Sequence, residues 1–307
     1  MTPVFALAFD HRNSFRRDFM GLSGPPTPAE QAAMVAAKGV VVDALLAAVP
    51  EVSAGNVVLL IDQEYGGELV PKAQAGGVSV AMPVEESGRA ELRYLDDGHP
   101  ERVLDAYHPD YAKVLVRYTP GGDAAMNTRQ RARLRDLARL LGGRPERLML
   151  ELLVPPEDAQ LAAAGGDRGR FDRELRAALT ATAVTEIADD GVRPALWKIE
   201  GPESPGDAAL IAGAVRAADQ DAACLVLGRG ADYAAVRRWL AIAAATKSFA
   251  GFAVGRTIWW DALRGYLDDG DRDAAVRAIA ARYLELVGDY LAAVPVGRPV
   301  GEGTAPR

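Results

Sequence analysis

The chain has 307 residues, 49% hydrophobic and 25% charged, with a formal net charge of -7. That is ordinary globular composition, enough for one large α/β domain or two smaller ones, and the acidic balance argues against nucleic acid or an anionic membrane as a main partner. One cysteine, Cys224, permits neither an intrachain disulfide nor a cysteine metal cluster, which suits a reducing cytosol. Met1-Thr2-Pro3-Val4 leads into a first apolar run without a basic n-region, so no signal peptide is expected. No apolar run reads as a membrane span. The expectation is a cytoplasmic protein with a small-molecule partner, a homo-oligomer remaining possible.

Short apolar runs alternate with longer amphipathic ones. Val4 to Phe9 reads as the first strand, ending at Asp10-His11-Arg12. Glu30 to Ala48 reads as a helix, with Thr27 as N-cap and Pro28 in its first turn. Val57 to Ile61 is the second strand, ending in Asp62-Gln63-Glu64-Tyr65-Gly66, and Val78 to Met82 the third, followed by a short helix from Pro100 to Asp105. Lys113 to Tyr118 is the fourth strand, with an arginine-rich helix from Asn127 to Leu141 behind it. Leu148 to Leu153 is the fifth, backed by a helix from Phe171 to Ala188, and Leu196 to Glu200 the sixth, backed by Gly206 to Ala218. Cys224 to Leu227 is the seventh, ending in Gly228-Arg229-Gly230, with a helix from Tyr233 to Ala245. Phe252 to Val254 is the eighth, ending in Gly255-Arg256, and two further helices close the chain.

Eight strands with helical connections predict a single-domain (β/α)8 TIM barrel over residues 1–294, with a flexible Pro/Gly-rich tail at 295–307. A doubly wound open sheet is the alternative. Against it, no Gly-x-Gly-x-x-Gly turn follows strand one, and no linker splits the chain.

The sixth strand holds the most informative residue. Ala195-Leu196-Trp197-Lys198-Ile199-Glu200 is a short apolar run bounded by Pro194 and Gly201, with one lysine inside it. The chain uses only five lysines against thirty arginines, and a lysine in such a run is costly to bury unless paired or neutral. Arginine cannot form an imine, whereas a desolvated lysine can. Lys198 is therefore a candidate Schiff-base nucleophile, or else a strand-end lysine whose amine snorkels to water. Asp10, Asp62, Glu64, Lys113, Glu151, Lys198, Arg229 and Arg256 all fall within or just after strands, the rim where barrels build their chemistry. Each alone is explicable as a cap or ion-pair partner; together they form a constellation.

Phe9-Asp10-His11-Arg12, Leu60-Ile61-Asp62-Gln63-Glu64-Tyr65-Gly66, Leu150-Glu151, Trp197-Lys198-Ile199-Glu200 and Gly255-Arg256-Thr257-Ile258-Trp259 resemble the class I tagatose 1,6-bisphosphate aldolases. They are more similar still to the aldolase-like domain (DUF2090) found behind a carbohydrate kinase in some inositol-catabolism proteins, associated with cleavage of 2-deoxy-5-keto-gluconate 6-phosphate. The resemblance runs from strand one through strand eight, without the kinase half.

It implies a metal-free, cofactor-free lyase in which Lys198 forms the imine. A protonated imine takes up the electrons released when the adjacent C–C bond breaks. Asp10 matches the aspartate that takes the substrate hydroxyl proton, and Lys113 matches a second site lysine, with a plain ion pair to Glu151 as its other reading. Glu151, in an apolar run beside lysines, suits proton shuttling, or forms a structural salt bridge. Arg12, Asp62 and Glu64 are candidate substrate contacts, the last two alternatively positioning the lysines. His11 reads as structural. Three histidines far apart give no metal-ligand spacing.

Gly228, Arg229, Gly255 and Arg256 follow the last two strands, where backbone N–H groups, helix N-termini and guanidinium forks often hold phosphate in barrels. The expected substrate is a phosphorylated keto-sugar or keto-acid, first 2-deoxy-5-keto-D-gluconate 6-phosphate, giving dihydroxyacetone phosphate and malonate semialdehyde. The alternatives are another ketose phosphate of the tagatose-bisphosphate or sulfo-sugar type, and a sugar-phosphate-binding barrel without turnover.

Overall fold

A computed structural model describes residues 2–296. Residues 297–307 of the expected tail lie outside the described residues. Eight strands, β1 (Val4–Phe9), β2 (Asn56–Ile61), β3 (Ser79–Pro83), β4 (Tyr111–Arg117), β5 (Arg147–Leu153), β6 (Leu196–Glu200), β7 (Ala223–Leu227) and β8 (Phe249–Val254), pair in chain order into a closed barrel. Every pairing is parallel, and β1 pairs with both β2 and β8. Closure removes the open-sheet alternative.

The outer layer comprises α1 (Pro28–Ala48), α2 (Val70–Ala75), α3 (Glu101–Tyr107), α4 (Ala124–Leu141), α5 (Arg176–Asp189), α6 (Pro205–Ala218), α7 (Tyr233–Ala244), α8 (Arg256–Asp269) and α9 (Arg272–Ala293). Local chemistry sets their starts. The Thr27 side chain accepts from the Glu30 amide in a full capping box, with Pro28 at the first position of α1. The side chains of Asp123, Ser204 and Asp232 cap α4, α6 and α7 by accepting from the amides of Met126, Asp207 and Ala235.

Three differences from the sequence reading have physical reasons. The helix expected over 171–188 is broken at Leu175, whose backbone (φ -122°, ψ -38°) separates Arg168–Glu174 from α5. Strand β8 begins at Phe249, three residues early, because Gly251 interrupts the apolar pattern. Its φ is +134°, and a Cβ there would lie 1.9 Å from the Val4 carbonyl, so the seam between β8 and β1 closes only over a glycine. Finally, Pro28–Glu51 is apolar and long enough to cross a membrane by length and composition, contrary to the sequence reading, but half of it is buried in this fold. It packs along α9 and buries Lys38 completely.

Strand periodicity then positions the site. Val4, Ala6 and Ala8, Tyr111, Met149, Leu196, Leu225 and Ala253 form one cluster filling the barrel. Their alternates, such as Phe5, Leu7, Trp197 and Ile199, pack in the larger cluster shared with the helices. Continuing the inner face by twos brings Asp10 above Ala8, Lys113 above Tyr111, Glu151 above Met149 and Lys198 above Leu196. All four charges therefore point into the mouth at the C-terminal ends of the strands.

Candidate active site

The mouth opens into a cleft of about 450 Å³. Asp10, His11, Arg12, Glu85, Lys113, Glu151, Lys198, Gly228, Arg229, Gly255 and Arg256 line it, together with Arg17, Arg89 and Arg117.

At its floor lies a compact charge cluster. Glu151 and Lys198 are direct partners in the register of β5 and β6, and Glu151 Oε2 sits 3.0 Å from Lys198 Nζ. The same oxygen is 3.0 Å from Lys113 Nζ. Lys113 is also 2.8 Å from Asp10 Oδ2 and 2.8 Å from Glu85 Oε1. Lys113 and Lys198 are only 2% and 3% exposed. The two lysines are thus treated differently: three carboxylates surround Lys113, whereas one touches Lys198.

Titration follows from this arrangement. Burial works against the Lys113 ammonium, but Asp10, Glu151 and Glu85 outweigh it and raise Lys113 well above the ordinary lysine range. Burial raises Asp10, yet Lys113 and then Lys198 prevail and hold it below the usual carboxylate range. Glu151 behaves alike: burial raises it, and Lys113 and Lys198 bring it net downward. Glu85 goes the other way, because burial outweighs Lys113 and Arg12, and its carboxyl is raised. Three carboxyls within reach of one ammonium therefore divide into two held ionised and one that gains a proton more readily.

Glu85 was absent from the sequence-derived set. It follows β3 at Val84-Glu85-Glu86, where two adjacent acids look like a solvated loop. The available signal was strand period, since Ala81, Pro83 and Glu85 are spaced by two. Its Oε2 is buried without a hydrogen-bond partner. Arg12 approaches from the other side, with Nη2 3.7 Å from Glu85 Oε1. His11, read as structural, lines the cleft. Burial lowers it, Asp10 opposes, Arg256 adds to the lowering, and the result is about 4, a neutral ring near pH 7.

The two arginines of the expected anion site differ. Arg256 opens α8, its Nη2 donates to the Arg229 carbonyl at 3.1 Å, and it forms no ion pair with a carboxylate among the described residues. Gly230, with φ +70°, lets that guanidinium lie against its backbone, since a Cβ would stand 2.5 Å from the Arg256 guanidinium carbon. Arg229 is engaged elsewhere: Nη1 is 3.0 Å from Asp172 Oδ2, and Nε is 3.1 Å from Glu200 Oε1. Its charge is thus already paired at the cleft wall, where Glu200 also stands.

Asp62 and Glu64 do not line the cleft, so the expectation that they contact substrate is corrected. Asp62 is fully buried, its Oδ1 accepting from the Tyr65 amide as a helix cap and its Oδ2 forming a short ion pair with Lys38. It does hold a lysine, but one outside the cleft. Glu64 is exposed on the turn that Asp62 caps. Cys224 lies buried in β7, its thiol pushed up to about 12 by burial, and takes no part. Among the described residues, no group of three or more His, Cys, Asp or Glu side chains is placed to hold a metal ion.

With this geometry in view, the chain compares with known proteins as follows. A protein-family model described as "Uncharacterized protein conserved in bacteria (DUF2090)" matches residues 1–293. No curated protein matches. Among solved structures, the chain is similar to a fructose-bisphosphate aldolase from Plasmodium falciparum in complex with TRAP and a small-molecule inhibitor, at 12% identity and a TM-score of 0.62 over 97% of this chain and 93% of that one. It is also similar to a Schiff base forming fructose-1,6-bisphosphate aldolase, at 16% identity and a TM-score of 0.55 over 93% and 94% of the two chains. An archaeal fructose 1,6-bisphosphate aldolase gives 13% and 0.54, covering 94% of each chain. At such identities the likeness is one of fold.

Proposed function

The chain belongs to the DUF2090 family, and we propose that its barrel is a class I aldolase, a lyase working through an imine on Lys198 without metal or cofactor. The observation that carries this reading is the pairing of Lys198 with Glu151 beside a second lysine held as an ammonium by three carboxylates. A plain ion pair uses one lysine, whereas a buried lysine beside a second cation is favoured to lose its proton and attack. The fold shared with Schiff-base aldolases supports the same reading.

The residues account for each step. Lys198 Nζ, as the free amine, adds to the substrate ketone. Glu151, held ionised 3.0 Å away, takes the proton that frees this amine and gives it back to the carbinolamine oxygen, which also receives one of the nitrogen's own protons and leaves as water, giving the protonated imine. Asp10, held ionised by Lys113, takes the proton of the hydroxyl on the carbon beyond the scissile bond. As that hydroxyl becomes a carbonyl, the C–C bond breaks and its electron pair passes into the imine, leaving an enamine on Lys198. The aldehyde departs, the enamine carbon is protonated, and water returns to release the ketone product and the free amine. Arg256 and the backbone of Gly228–Gly230 and Gly255 hold the phosphate.

The substrate class is a phosphorylated keto-sugar or keto-acid. The first candidate is 2-deoxy-5-keto-D-gluconate 6-phosphate, cleaved to dihydroxyacetone phosphate and malonate semialdehyde; it follows from the resemblance of the Asp10, Asp62–Gly66, Lys198 and Arg256 segments. Enzymatic reduction of released dihydroxyacetone phosphate gives a direct assay. Turnover of this compound, or of a tagatose-bisphosphate or sulfo-sugar relative, is the expected result. A panel of phosphorylated ketoses and keto-acids that bind but are never cleaved would leave a binding barrel without turnover.

A further inference from the structure

The motif Asp62-Gln63-Glu64-Tyr65-Gly66 has no place in the cleft, yet it meets the one lysine buried outside it. We propose that Lys38 and Asp62 form a positioning device that aims Asp10 at the substrate, and that this pair sets the rate of C–C cleavage while leaving imine formation alone. The inference rests on the aldolase reading and assigns a role to residues outside the reacting atoms.

The geometry is specific. Lys38 sits mid-way along α1 and is 0% exposed. Its Nζ donates to the Phe9 carbonyl at 2.6 Å and to the His11 carbonyl at 3.2 Å. Those carbonyls belong to the residues before and after Asp10, so one ammonium ties down the backbone on either side of the residue that takes the hydroxyl proton. The third donor position is filled by Asp62 Oδ2, and the nitrogen lies 4.3 Å from the centre of the Phe9 ring. Asp62 is itself fixed, because its Oδ1 caps the Tyr65 amide. The chain from Tyr65 through Asp62 and Lys38 to the backbone about Asp10 is thus continuous.

Structural need accounts poorly for such a choice. Burying two charges costs several kcal/mol per ion, and a well-packed apolar pair of similar volume is often as stable or more so. The pair sits where a strand end turns into the cleft with its side chain aimed: β1 stops at Phe9, and Asp10 already lies outside the ladder with β2. Displacing a catalytic group by about 1 Å can cost roughly a hundredfold in rate. Lys198 stands on β6, whose own ladders to β5 and β7 fix it without reference to Lys38.

The test uses the full-length protein. Wild type is first trapped with borohydride and substrate; no adduct there would sink the aldolase reading itself, separately from this proposal. Lys38→Met/Asp62→Asn then removes both charges while keeping an oxygen to cap Tyr65, and Lys38→Met/Asp62→Leu makes both partners apolar. The expected result, in whichever variant folds, is a wild-type rate of borohydride trapping at Lys198 within about twofold, an unchanged KM, and a kcat for cleavage lowered by about ten- to a hundredfold. A folded variant with wild-type kcat would overturn the proposal, as would one in which trapping and cleavage fall together. Failure of both variants to fold would assign the pair to stability and equally remove the positioning role.

Discussion

Glu151 Oε2 lies 3.0 Å from Lys198 Nζ, across two neighbouring strands in direct register. The contact follows from the barrel's inward period of two on β5 and β6, so it needs no loop to form. If Glu151 moves protons during carbinolamine dehydration, Glu151→Gln should slow imine formation by about 10²–10⁴-fold, the usual weight of general acid–base catalysis. Single-turnover trapping measures this step. A loss of less than tenfold would leave Glu151 as an ion-pair partner only.

Arg256 and Arg229 should separate by phenotype. Arg256 has no carboxylate partner among the described residues, and a charge-assisted contact to an anion is worth about 1.5–3 kcal/mol, one to two powers of ten in affinity. Arg256→Ala should raise KM by about that factor for a phosphorylated substrate and barely alter it for one lacking the phosphate. Arg229 is tied to Asp172 and Glu200 with its side chain 31% exposed, so Arg229→Ala should cost about 0–1 kcal/mol of stability and little affinity. Equal losses on both substrates would show Arg256 holding the barrel together rather than the ligand.

The pH dependence turns on Lys113. In the wild type, Asp10 is held below the ordinary carboxylate value, so its contribution to stability is complete above the unfolded-state value of about 4. That contribution is lost only as the pH falls through the lower folded value. Lys113→Met leaves the burial of Asp10 and Glu151 opposed mainly by Lys198, and both should move upward. The acid limb of kcat/KM should then shift to higher pH. The sign for stability reverses too: carboxyls with raised folded values lose stability as the pH rises. The variant's deficit in thermal unfolding should therefore be larger at pH 7.5 than at pH 4.5. An unmoved acid limb would contradict Asp10 as the base.

Chelation should be without effect. The proposed chemistry places positive charge on the imine nitrogen, so EDTA should leave kcat and KM unchanged. Loss of activity restored by a divalent cation would instead place the enzyme among metal-dependent aldolases.

Much of this was legible in the residues, and the exceptions share a cause. Lys198 stood out as a lone cation in a short apolar run, and the alternation Leu196, Lys198, Glu200 then fixed its face. Lys38 carried the same signal, a lone lysine among Met34, Val40, Val41, Val42 and Leu45. A lone lysine on a helix fits equally a side chain that snorkels to water, so spacing leaves its burial open. Asp62 and Glu64, as strand-end carboxylates, fit substrate contact and lysine positioning alike; the turn after β2 decides, where Asp62 caps a helix and pairs with Lys38. Glu85 lay hidden by its neighbour Glu86, since a pair of acids after a strand reads as solvent-facing. In each case burial, which depends on tertiary packing, determined the role that spacing left open.

The most direct test of the central claim is borohydride reduction in the presence of 2-deoxy-5-keto-D-gluconate 6-phosphate or dihydroxyacetone phosphate, followed by peptide mapping. The account predicts one stable adduct, on Lys198, absent from Lys198→Arg. An adduct on Lys113 with none on Lys198, or steady turnover with no adduct at any lysine, would contradict it.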